Sequence, residues 1–177
     1  MPRAVMAILI LLYPALIFFG DRYVDAPVLA IALIPMLVLH HQRVTGARWM
    51  LFSVAALGLL AALFDDTAPL KLYPVLVNLG LLATFAASLR FPPTAIERIA
   101  RLHEPNLSPE GVAYTRNVTW VWCAFFAMNA MVSLATMLWS SDMFWFLYNG
   151  VIAYFLIGAM FVGEWLFRRF RLQTGHG

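Results

Sequence analysis

Thr115, Thr119, Trp122, Phe126, Asn129, Ser133 and Thr136 follow one another at intervals of four, three, four, three, four and three residues. That spacing places them in one stripe along a helix. The surrounding sequence is almost wholly apolar, so the stripe must find partners on other helices rather than in solvent. Two chemistries fit it. Asn, Ser and Thr can bridge neighbouring helices at roughly 0.6 kcal/mol each, or the stripe can line a groove for a polar or amphipathic ligand. Asn78 sits in another apolar run and can pair with Asn129 or with a backbone carbonyl. Glu164 is the one acid inside an apolar run. It precedes Arg168 by four residues, the order that suits an ion pair on one helix face, and Arg116 is its alternative partner. A proton relay at Glu164 is the sharper reading of the same residue. His40-His41 has no third ligand nearby, so no metal site is expected, and no cofactor either. No HExxH, GxSxG, P-loop or glycine-rich dinucleotide motif is present, which argues against an enzyme of those classes.

The elements that must hold these residues follow from composition. Hydrophobic residues make up 63% of the 177 and charged residues only 12%, with a mean hydropathy of +0.80. A soluble globular domain is nearer half apolar and a quarter charged. The sequence therefore reads as a single integral membrane domain over 1–177, all-α and polytopic, with about six spans. The apolar runs are 4–20, 26–40, 49–64, 72–90, 112–139 and 143–167. The first is about 25 Å long as a helix, so it either spans barely or dips in as a re-entrant element. Its charged start and apolar run resemble a signal peptide, but Pro27 after "VDA" obstructs cleavage, so it is kept in the mature chain. Pro35 predicts a kink in the second run. Glycines and small residues four apart, at Gly80 and Thr84 and at Gly150, Tyr154 and Gly158, predict close helix packing.

The net charge of +3 does not point to nucleic acid, because the basic residues lie at the ends of apolar runs rather than in an aromatic-interleaved patch. With six spans, ten basic residues fall on one side and only Arg22 and Lys71 on the other. The positive-inside rule then predicts both termini on the cytoplasmic side. Trp49, Trp120, Trp139, Trp145 and Trp165 lie near run ends, where an interfacial aromatic belt belongs. Cys123 is the single cysteine, which excludes an internal disulfide.

Residues 91–117 form the one sizeable cytoplasmic segment. Pro92-Pro93 end the fourth run. Thr94 with Glu97 three residues on has the pattern of a capping box. Ile96, Ile99 and Leu102 recur at helical spacing, with Glu97, Arg98, Arg101 and Glu104 on the other side, so a short amphipathic interfacial helix is expected with its isoleucines inward. Glu97, Arg98, Arg101 and Arg116 are its candidate headgroup-binding or partner-binding residues. "EPNLSPEG" is expected to be a turn.

The order "KLYPVLVNLGLLATFAASL", a proline pair, "IERIARL", "NLSPEGVAYTRNVTWVWCAFFAMNA" and a closing hydrophobic hairpin resembles a family of small bacterial inner-membrane proteins associated with aryl polyene (xanthomonadin-type) pigment gene clusters. More distantly it is similar to the intracellular septation protein A family. The likeness covers roughly residues 70 to 170, and the first 65 only by hydropathy. The matching positions are Lys71, Asn78, Glu97, Arg98, Arg101, Tyr114, Arg116, Trp122, Phe126 and Asn129. The resemblance implies a non-enzymatic scaffold or lipid-handling protein in envelope or aryl polyene lipid biogenesis, with membrane lipids, an acyl carrier protein or other envelope-biogenesis proteins as partners. Septation-type envelope maintenance and a small transporter or flippase are the alternatives.

Overall fold

The computed structural model describes residues 68–174, together with scattered helical positions within 14–20 and 56–64. Among the described residues the chain is all helical, with no strand. A 3-10 turn over Ala68–Leu72 leads into α1 (Tyr73–Arg90), followed by α2 (Ala95–Ala100), α3 (Pro109–Trp139) and α4 (Asp142–Leu147). A π-helical turn over Tyr148–Ile152 then runs without a break into α5 (Ala153–Thr174). Among the described residues three segments are long and apolar enough to cross a membrane: Ala68–Arg90, Pro109–Trp139 and Asp142–Arg168. They correspond to the last three of the six runs expected from the sequence. Runs 4–20, 26–40 and 49–64, with Pro35, His40-His41 and Trp49, lie wholly or mostly outside the described residues.

Local chemistry fixes the boundaries. Pro74 stands in the first turn of α1, where its missing N–H removes nothing the helix uses. At the other end the Phe91 N–H reaches Ala87 O at 2.9 Å, and Pro92 and Pro93 stop the helix. The peptide bond joining those prolines is cis. α2 begins with a complete capping box, the Thr94 hydroxyl accepting from Glu97 N and the Glu97 carboxylate accepting from Thr94 N. α3 starts at Pro109, three residues earlier than the apolar run suggests, because Ser108 caps it by accepting from Gly111 N. Ser141 caps α4 in the same way through Phe144 N.

The three long segments are antiparallel, and their contacts show it directly. Moving from Asn78 to Phe85 along α1 takes the partner on α3 backward from Asn129 to Phe126 and Trp122. Moving from Tyr148 through Phe161 to Glu164 takes the α3 partner back from Asn129 through Trp122 to Tyr114. α3 is the central element: 44% of its apolar window is buried, against 28% for the first segment and 6% for the last. Its core is Trp122, Phe125 and Phe126, packed by Leu82 and Phe85 of α1, Ile96 of α2, and Ile157 and Met160 of α5. Phe85 meets Phe126 edge to face with ring centres 5.1 Å apart, a preferred aromatic geometry. Lys71 and Asp142 form an ion pair of 2.8 Å at the end where α1 and α4 begin.

Two expectations change here. None of the described residues comes within 4 Å of the position a Cβ would take at Gly80 or Gly158, so no described helix packs closely there; at Gly150 the neighbours are the Phe146 ring and Pro14. Trp145 is not in an interfacial belt. It is 1% exposed, on the inward side of α4. Trp120, Trp139 and Trp165 are exposed.

Candidate functional site

Two features gather the chemistry-bearing residues: a neutral polar seam along α3 and a pinned turn between α1 and α3. In the seam, Thr115, Thr119, Trp122, Phe126, Asn129, Ser133 and Thr136 are all buried. Asn129 Nδ2 donates to Asn78 Oδ1 at 3.0 Å, and the Tyr148 hydroxyl donates to Asn129 Oδ1 at 2.7 Å. Asn78 Nδ2 in turn donates to Pro74 O at 2.8 Å, the carbonyl four residues back on its own helix. One amide pair therefore joins α1, α3 and the π-helical turn. The threonines do different work. Thr115 and Thr119 donate to the Val112 and Thr115 carbonyls of their own helix, so their hydroxyls are satisfied without reaching a neighbour, whereas Thr136 donates to the Ser133 carbonyl and also accepts from outside the helix. Trp122 belongs to the aromatic core.

Sequence reasoning missed the other wall of this seam. Asn149 is 4% exposed, and its Nδ2 donates to Thr136 Oγ1 at 3.2 Å and to Trp145 O at 3.0 Å. Tyr148 and Asn149 stand side by side in an otherwise apolar run, and that adjacency was the available signal. The π-helical turn directs both at α3, and π turns recur where a helix must serve a local constraint. No ionised group lies among these residues, so the seam can orient or hold a neutral polar group but offers no acid or base.

The turn is organised around Glu97. This residue is 5% exposed, so it lies beneath α2 rather than on the polar side with Arg98, as the helical spacing suggested. The reversal has a cause: its Oε2 accepts from Thr94 N to close the capping box, and its Oε1 accepts from Arg101 Nε at 2.9 Å and Nη2 at 2.7 Å. Arg101 Nη1 also donates to Pro105 O, which ties the segment after α2 back to it. Ser88 Oγ of α1 accepts from Ala95 N, joining the turn to the span before it. Ile96 packs on the α3 core, whereas Ile99 and Leu102 are exposed along with Phe91.

Arg98 and Arg116 are exposed. Among the described residues Arg98 spends only its Nε on an acceptor, Pro93 O at 2.9 Å. Across from α3, the Tyr114 hydroxyl and Glu164 Oε1 are 3.3 Å apart, Arg168 Nε is 3.9 Å from the same oxygen, and the Tyr114 and Phe167 rings are stacked. Glu164 thus sits with Arg168 and Tyr114 at the end of the bundle where the turn lies. Among the described residues no three of His, Cys, Asp and Glu come together as a metal site would require.

Comparison with known proteins finds no matching family model, no matching curated protein and no matching solved structure.

Proposed function

We propose that this chain is a multi-pass protein of the bacterial inner membrane, both termini cytoplasmic, serving as a non-enzymatic scaffold or lipid-handling component in envelope or aryl polyene lipid biogenesis. One observation carries the reading. Between two helices long enough to span, Glu97 and Arg101 lock a short helix that leaves Arg98 open beside exposed Phe91, Ile99 and Leu102, and Arg116 is exposed two turns into α3. Apolar side chains exposed next to exposed guanidinium groups suit the headgroup boundary, where the former enter the acyl region and the latter meet anions. The resemblance to the pigment-cluster family supplies the setting, and an acyl carrier protein or an anionic lipid intermediate has the complementary charge. Glu97 and Arg101 hold the platform in shape, while Arg98 and Arg116 face the partner.

The test is Arg98→Glu with Arg116→Glu in the native bacterium, scored by extracted lipid and pigment with the protein still in the membrane. The expected result is a loss of product. Unchanged product in the presence of normal amounts of the double variant overturns the proposal.

A further inference from the structure

Three sealed polar atoms near the other end of the bundle have no hydrogen-bond partner among the described residues: Ser133 Oγ, Trp145 Nε1 and Asn149 Oδ1. Their residues are 0%, 1% and 4% exposed. A chain of hydrogen bonds links the three residues to one another. Asn149 Nδ2 bridges Thr136 Oγ1 and Trp145 O, and Thr136 Oγ1 donates to the carbonyl of Ser133. The locus lies one to two helical turns inside the Lys71–Asp142 end, walled by α3, α4 and the π-helical turn. Buried polar groups are nearly always satisfied, so three orphans together need an explanation. Ser133 does not take the escape used by Thr119, a bond to the carbonyl four residues back.

The three groups define what would satisfy them. An indole N–H only donates, an amide oxygen only accepts, and a serine hydroxyl does either. A carboxylate or phosphate oxygen would face Asn149 Oδ1 with no proton to offer it, and a cation would face the indole N–H with no lone pair to accept from it. We propose that this locus binds a single neutral hydroxyl, which donates to Asn149 Oδ1, accepts from Trp145 Nε1 and exchanges a hydrogen bond with Ser133. Water and the hydroxyl of a polyol lipid headgroup share this chemistry. Pro14 and the Phe18–Phe146 stack close the neighbouring face at Gly150. The inference is independent of the cytoplasmic platform and survives its failure.

The experiment uses the full chain in nanodiscs. The indole Nε1–H resonance of Trp145 is assigned by its absence in Trp145→Phe, and magnetisation transfer to that proton is measured in pure phosphatidylcholine and in phosphatidylglycerol. A downfield, hydrogen-bonded position with transfer from water in both lipids identifies water. Transfer from glycerol protons in phosphatidylglycerol alone identifies the headgroup. Either result supports the site, and Ser133→Ala then lowers the unfolding temperature because the ligand loses a partner. A resonance at the position of a free indole, with no transfer in either lipid, overturns it. In that case Ser133→Ala should raise the unfolding temperature, since the variant removes an unsatisfied buried hydroxyl. If Ser133→Ala does not fold, the resonance of the unaltered chain still decides.

Discussion

Asn129→Ala is the perturbation whose effect follows most directly from the structure. The side chain makes two interhelical bonds, to Asn78 at 3.0 Å and from Tyr148 at 2.7 Å. Bonds of this kind between membrane helices average about 0.6 kcal/mol each, with a maximum near 1.7, so their loss alone costs about 1 kcal/mol. The variant also strands Asn78 Oδ1 in a residue 7% exposed, and a buried orphan acceptor costs about 1–3 kcal/mol. The Tyr148 hydroxyl is only half buried, so it relaxes more cheaply. The total expected is about 2 kcal/mol, a roughly 30-fold shift in the unfolding constant. The assay is reversible unfolding in mixed micelles, completed by the Asn78→Ala, Asn129→Ala and double variants. The expected coupling between the two asparagines is about 1 kcal/mol, below the maximum found for such pairs. Additive effects with no coupling, or an Asn129→Ala cost under about 0.3 kcal/mol against that average, would refute the claim that this amide pair joins the helices.

Other outcomes follow from burial and pairing. Arg101→Ala leaves the Glu97 carboxylate buried without its cation and should cost about 2–4 kcal/mol, whereas Arg98→Ala should stay within about 1 kcal/mol; chemical unfolding of the two variants compares them. Trp122→Ala opens the aromatic core and should cost at least about 3 kcal/mol, while Trp139→Ala, 81% exposed, should change micellar unfolding little. Lys71→Ala removes an ion pair whose acid is 60% exposed, so its effect should lie within about 1 kcal/mol and shrink further with added salt.

The parts legible in the sequence were those set by local pattern. The three apolar runs over 72–90, 112–139 and 143–167 and the Thr94 capping box needed only length, spacing and cap chemistry. The pairing of Asn78 with Asn129 was legible as one of two options, since few polar groups compete in such runs. The inward turn of Glu97 was not, because helical spacing alone groups it with Arg98, and only the bonds to Thr94 and Arg101 make burial of a carboxylate tolerable. The π-helical turn at Tyr148–Ile152 was hidden for a similar reason: the run reads as one continuous helix until Asn129 and Thr136 stand opposite Tyr148 and Asn149. Trp145 shows the limit of an end-of-helix rule, since its depth depends on which side of a short capped helix faces the bundle.

In the proposed topology α1, α3 and the Asp142–Arg168 segment thread a bilayer with the Pro92–Ser108 turn on the cytoplasmic side and the Ser140–Ser141 turn on the other. Cysteine labelling in intact and permeabilised cells tests it. Buried Cys123 leaves a low background for Asn106→Cys and Ser141→Cys. An impermeant maleimide should label Ser141→Cys in intact cells with the outer membrane opened, and Asn106→Cys only after the inner membrane is breached. Labelling of both sites from the same side would contradict the account.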